Sequence, residues 1–283
     1  MGVMAATWTR DTPWRQGHLL TAEATLALGL SHPESPDSTC VLVISHDCDL
    51  ANENLQVEPD VEVIVGRRVP KGDGNYFWAK APRTLHINAL HGDSEVVIEL
   101  VATAKRLIAK QKLAAFMPDN TCSLPGKSLS VLRSWLGVRY NRAAFPDSFV
   151  NCLDQSRVGE RLAKIIKPVG KLLSAVYFDV DGGKEKDHSD GSPYELKIVL
   201  AYLPGEDPEQ TADDVEKIET AVTNLFEEKY FDQIAGKWNG IALRQCMSIS
   251  EDDLSVSKAR LLTQWRLEYM TNKADDGQVG PLR

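Results

Sequence analysis

"VLVISHDCDLANEN", residues 41 to 54, decides how the first third of the chain is read. Val41 to Ile44 are apolar without a break, so they form a strand that is buried on both faces. The run stops abruptly at His46, Asp47, Cys48 and Asp49, four side chains with chemistry of their own. The end of a buried strand presents side chains rigidly to a cleft, which admits three readings. In the first, His46 is a general base and Cys48 a nucleophile, although both aspartates oppose a thiolate by raising the thiol pKa. In the second, Asp47, Asp49 and His46 hold a metal ion. An extended chain lets only His46 with Cys48, or Asp47 with Asp49, share a side, so a remote ligand is needed. His18, His86 and His91 are candidates for it. In the third, the stretch is a polar turn in which Asp47 or Asp49 caps "LANEN" and Cys48 tucks into the core.

Around this stretch the first hundred residues read as β structure. Strands are expected over 18–28, 39–45, 61–68 and 95–103, with turn-forming "SHPESPDS" (31–38) and "PKGDGN" (70–75) between them. Such punctuation suggests a small barrel or sandwich. Helices are expected from about residue 104. In "SLSVLRSWLGVRYNRAA", Leu129, Leu132, Leu136, Tyr140 and Ala143 recur at helical spacing. In "RVGERLAKIIKPVGKLL", Pro168 should kink or divide the helix. The last third reads as strands "SAVYFDV", "YELKIVLAYL" and "IALRQCMSIS", a helix from about Pro208 to Ala235, and a closing segment "SKARLLTQWRLEYM". The expected fold class is α+β: a small N-terminal β-barrel-like domain (1–103), a helical basic segment (104–173) and a C-terminal α+β domain with an antiparallel sheet and helices (174–283).

Residues 14–66 also resemble a known family. "WRQGHLL", a loop, "CVLVISHDCDLAN" and "VEVIV" are similar to the opening of MazF/PemK-type toxins, small SH3-like barrels that cleave RNA. That pattern has a Gly-led first strand, a long loop, an Arg-Pro pair before a "VLVIS"-like strand, and a further strand after an Asn. Thr39 stands where the family carries its catalytic Arg, Cys40 replaces the Pro, and Gly66 falls about where a Thr or Ser is expected. The resemblance therefore implies the barrel and a setting in toxin–antitoxin or antiviral defence, with His46 to Asp49 as this chain's own addition.

Two further constellations carry charge. Arg139 falls close to Leu132 on a helical wheel, on the apolar stripe, where a guanidinium needs a partner or must reach the helix edge. Asp47 or Asp49 would supply that partner and join the two stretches into one site. Arg133 and Arg142 lie off the stripe and read as solvated. Asp179 or Asp181, a hairpin, then Glu195 and Lys197 resemble the PD-(D/E)xK nuclease pattern. There, two carboxylates hold a divalent ion and the Lys helps to position a water. The same residues also alternate as on any half-exposed strand.

Composition limits the choices. A net charge of −8 argues against coating nucleic acid by bulk attraction. The charge is split, however. Residues 101–171 hold 13 Lys and Arg against 4 Asp and Glu, a balance of +9, and residues 179–232 hold 16 acidic against 5 basic residues, a balance of −11. Either the basic segment faces a polyanion or the two segments compensate each other. Five cysteines without CxxC spacing suggest reduced thiols and a cytoplasmic location. No apolar run approaches the roughly 18–20 residues that span a bilayer, so no membrane partner is expected. The first residues lack the layout of a signal peptide. The functional expectation is binding of, or action on, a nucleic acid or phosphorylated ligand at the His46–Cys48 region. The alternatives are a nuclease using a divalent metal at Asp179, Glu195 and Lys197, and a non-enzymatic interaction or immunity subunit whose acidic face (179–232) mimics or masks a polyanion, with a nucleic acid or a protein as partner.

Overall fold

A computed structural model of the chain describes residues 7–138, 145–183, 188, 191–255 and 262–265. The fold is α+β, and its contacts divide it into two compact units. Of the described residues, unit 1 comprises 7–72 with 83–137, and unit 2 comprises 73–82 with those from 138 onward.

Unit 1 is an antiparallel half-barrel of five strands: β1 (Thr39–Val43), β2 (Asp60–Val69), β3 (Thr84–His91), β4 (Ser94–Ala109) and β5 (Cys122–Ser123), in the order β1-β2-β4-β3-β5. As the apolar run dictates, Cys40 to Ile44 are all buried, and Val41 and Val43 pack against Val61, Val63, Leu50 and Trp14. The 16-residue β4 pairs with β3 over residues 94–101 and with β2 between Val97 and Ala109. Its pairing shifts between Ile64 and Gly66, where a Cβ on Gly66 would lie 2.4 Å from the Glu99 carbonyl oxygen. Glycine is therefore required there to let two backbones meet. Isolated bridges Leu19–Leu42 and Leu20–Pro118 extend the wall beyond β1.

Three expectations for this unit are corrected. The strand expected over 18–28 is a bridge at Leu19 and Leu20 followed by helix α1 (Ala22–Ala27), which the Thr21 hydroxyl caps by accepting from the Ala24 N–H at 3.1 Å. The strand expected to stop at 103 continues to Ala109 before α3 (Lys110–Leu113), so helices do not begin at 104. β3 went unpredicted, because its alternation is interrupted by a buried His86 that bonds Glu99 on β4. The remaining helices of the unit are α2 (Asp47–Ala51) and α4 (Gly126–Val138).

Unit 2 holds α5 (Asp147–Gln155), α6 (Val158–Ile166), β6 (Leu173–Val180), β7 (Tyr194–Tyr202), α7 (Pro208–Tyr230), a two-residue hairpin pair β8 (Phe231–Asp232) and β9 (Lys237–Trp238), β10 (Ile241–Ser250) and β11 (Thr263–Trp265). The second basic helix is neither kinked nor divided at Pro168 but stops ahead of it, so Val169 and Leu172 lie outside the helix. α6 ends at Ile166 and a 3-10 turn covers Lys167–Val169. The sheet order is β10-β7-β6-β11. It is mixed rather than antiparallel throughout: β10 runs parallel to β7, because the 23-residue α7 carries the chain back before β10 begins. Phe149, Leu162, Phe178, Leu196, Val222 and Phe226 lie in the core that joins the helices to one face of this sheet. No helix among the described residues is long and apolar enough to cross a membrane.

Candidate functional site

The chain turns helical at Asp47, so Asp47 to Asp49 do not alternate as an extended strand would. His46 is the N-cap of α2, not Asp47 or Asp49: its backbone is extended, and its Nδ1 accepts from the Cys48 N–H at 3.2 Å. That bond leaves the proton of the neutral ring on Nε2. Leu50, fully buried, anchors the helix, and Trp8 Nε1 donates to the Leu50 carbonyl at 2.8 Å. At the other end the buried Lys110 donates to the carbonyls of Asp49 at 2.6 Å and Asn52 at 2.8 Å, satisfying groups that a helix end leaves open. Cys48 is exposed, not tucked into the core.

Asp47 is the pivot. Its Oδ1 accepts from the Gln16 backbone N–H at 2.8 Å, and its Oδ2 lies 3.8 Å from an Arg133 guanidinium nitrogen. Arg133 Nε donates to Gln16 Oε1 at 2.8 Å, and Gln16 Nε2 donates to the Ile44 carbonyl at 2.8 Å. The counter-charge of the turn is therefore Arg133, one of the two arginines read as solvated. Arg139, chosen from the helical wheel, lies outside the described residues.

Two cavities flank this network, with Gln16 in the wall of both. The first, about 450 Å³, is lined by Arg15, His18, Asp47, Asp119, Asn120 and Arg133, among others. Arg15 donates to the carbonyls of Thr12 at 2.6 Å and Trp14 at 2.7 Å, which fixes its guanidinium. His18 Nδ1 accepts from the Arg15 N–H at 3.2 Å. Burial, then the positive charge of Arg15, holds the His18 pKa below its ordinary value, against the pull of Asp47 and the Pro13 carbonyl. His18 is thus a neutral imidazole beside Arg15 at neutral pH, in a cavity that Arg133 also lines. The second cavity, about 500 Å³, is lined by His46, Asp49, Glu58, Asp60, Glu62 and Lys105, with Ile44 and Leu136 among its apolar residues. Lys105 lies 3.6 Å from Glu62, so this side is rich in carboxylates.

The third constellation is organised differently. Asp179 and Lys197 face each other across β6 and β7, with the ammonium 3.9 Å from the carboxylate. Glu195 is exposed and paired with Arg244 at 3.3 Å, and Asp181 Oδ1 accepts from the Glu195 N–H at 2.8 Å. These charges are matched to one another along the sheet. No group of three or more His, Cys, Asp and Glu among the described residues is arranged to hold a metal ion. His86, a candidate remote ligand, bonds Glu99 at 3.0 Å.

Sequence reasoning missed Arg15, Gln16 and Arg133 as site residues and left His18 unassigned. Only "WRQGH" just before the strand bridge offered a signal, since Arg133 meets Gln16 across 117 residues of chain. Comparison with protein-family models, with curated proteins and with solved structures gives no match.

Proposed function

We propose that unit 1 binds an anionic phosphorylated ligand, a nucleotide or a nucleic-acid end, in the cavity lined by Arg15, His18 and Arg133. The observation that carries this reading is the Asp47–Gln16–Arg133 network, which holds one guanidinium at a cavity where a second guanidinium and a neutral imidazole already stand. Fixed guanidiniums suit phosphate because their N–H groups match its oxygens in pairs. In this reading Asp47 and His46 position the site: Asp47 orients Arg133, and His46 starts the helix that carries Asp47. The carboxylates of the second cavity repel a polyanion. The ligand therefore enters by one phosphate and does not track along the surface. Five unpaired cysteines are consistent with a cytoplasmic setting, and the resemblance of residues 14–66 to toxin barrels favours a role in defence or growth inhibition.

Fluorescence anisotropy with a labelled, 5′-phosphorylated single-stranded RNA tests this, with a nucleoside monophosphate as competitor. Arg133→Gln and Arg15→Gln should each weaken binding about tenfold or more, as expected for loss of a charge-assisted contact. Binding unchanged in both variants would refute the reading.

A second reading draws on α7, whose Glu209, Asp213 and Glu216 are exposed. It is an interaction face for a basic protein partner, and charge reversal at these three positions should then abolish partner capture while RNA binding stays intact.

A further inference from the structure

Residues 73–82 connect β2 to β3, two strands of unit 1, yet they belong to unit 2. The seat of this strap is closely fitted. Gly74 and Gly170 meet backbone to backbone: a Cβ on Gly74 would lie 2.2 Å from the Lys167 carbonyl oxygen, and one on Gly170 would lie 2.4 Å from that of Gly74. Trp78 Nε1 donates to the Lys171 carbonyl at 2.7 Å. Asp73 pairs with Lys167 at 2.5 Å, and the Lys171 ammonium lies 5.2 Å from the centre of the Phe77 ring. Trp78 and Ala79 take left-handed backbone at φ 61° and 57°, conformations that side-chain-bearing residues keep only when surrounding contacts enforce them.

Lys80 lies at the centre of this fit. It is 1% exposed, and its Nζ donates to the carbonyls of Gly170 and of Leu173, the latter at 2.9 Å. Those two carbonyls are its only hydrogen-bond acceptors among the described residues. An ammonium has three N–H groups and a neutral amine two, so the seat matches the amine and strands one N–H of the ammonium in a buried place. The charged groups near the strap are few. Asp73 is on the strap itself, and Lys167 and Lys171 are exposed on the turn. α6 contributes Glu160 and Arg161, paired with Arg157 and Glu228, and an exposed Lys164. β6 contributes Asp179, paired with Lys197.

We propose that the strap is a proton-linked latch: it seats with Lys80 as a neutral amine and takes up a proton when it lets go. Burial brings the Lys80 pKa from 10.5 down to about 7, with Asp73 working in the opposite direction. Unseated, the amine titrates near its ordinary value. Seating is therefore firmest above pH 10.5 and weakens as pH falls towards about 7. Below that, both states carry the charge and the dependence ends.

Hydrogen exchange of the backbone amides of residues 74–82, read by mass spectrometry and normalised to intrinsic rates, tests the latch. In the wild type, protection at pH 7 should be at least tenfold lower than at pH 9. Lys80→Met, which cannot take up a proton, should show equal protection at both. Equal protection in the wild type, or a parallel loss in Lys80→Met, would overturn the proposal. Should Lys80→Met fail to seat the strap, Asp73→Asn decides the matter. Removing the carboxylate that favours the ammonium lowers the seated pKa, so protection should keep falling below pH 7, where the wild type is level. A level profile in Asp73→Asn would also overturn the latch.

Discussion

The turn at residues 46–49 and the strand face bearing Asp179, Glu195 and Lys197 offer similar side chains, yet they do different things with their charges. On the strand face each charge has an opposite number on a neighbouring strand: Asp179 with Lys197, Glu195 with Arg244. In the turn Asp47 is paired as well, with Arg133 at 3.8 Å, but this pair stands at the wall of a cavity. Asp47 orients Arg133 through Gln16, and the guanidinium remains in the wall of a cavity beside Arg15 and His18. Charges matched along a sheet make a surface, whereas charges held at the wall of an open volume make the candidate site proposed above.

That contrast can be broken at several strengths. The largest effect should come from Leu50→Ala, which removes the buried anchor of α2. Loss of a buried leucine costs about 2–5 kcal/mol, read from urea denaturation. A cost below about 1 kcal/mol would mean that the turn does not depend on its helix. Next is the acid limb of stability. The His86 hydrogen bond, aided by Arg67, holds the Glu99 carboxyl below its ordinary 4.5 in spite of burial. A depressed carboxyl contributes stability that is present above pH 4.5 and lost as pH falls below it. Glu99→Gln should therefore flatten the decline of the urea midpoint below that pH, and an unchanged slope would count against the pairing of Glu99 with His86 and Arg67. The smallest effects belong to the surface pair and the exposed thiol. Lys197→Ala should change stability by about 0–1 kcal/mol and leave phosphate binding untouched. Cys48→Ala should stay within about 0.5 kcal/mol and also bind normally. Loss of RNA binding in Lys197→Ala would shift attention to the strand face, and loss in Cys48→Ala would restore the thiol as a reacting group.

The legible parts of the fold are those whose pattern is local. The apolar runs of β1 and β2, the alternation of β6 and β7, and Pro208 at the head of α7 each declare themselves within ten residues. β3 was hidden because the partner that makes its buried His86 tolerable, Glu99, is supplied by another strand. α1 was hidden by an apolar stretch whose alanines and Thr21 cap favour helix over strand. The parallel placement of β10 follows from the return path of α7, which no strand pattern records. At the site, the importance of residues 46–49 was readable from the abrupt change of polarity. The identity of the counter-charge was not, because Gln16 and Arg133 become neighbours only through the tertiary fold. The role of Lys80 left no local trace at all, since its two acceptors lie about 90 residues further along the chain.

The most direct test is an NMR titration of the ¹⁵N-labelled protein with inorganic phosphate and then with a nucleoside monophosphate. The account predicts saturable shifts of the amide signals of Gln16, Gly17 and Asn120, none at Lys197 to Val199, and loss of those shifts in Arg133→Gln. Shifts confined to the β6–β7 face, or none anywhere, would contradict it.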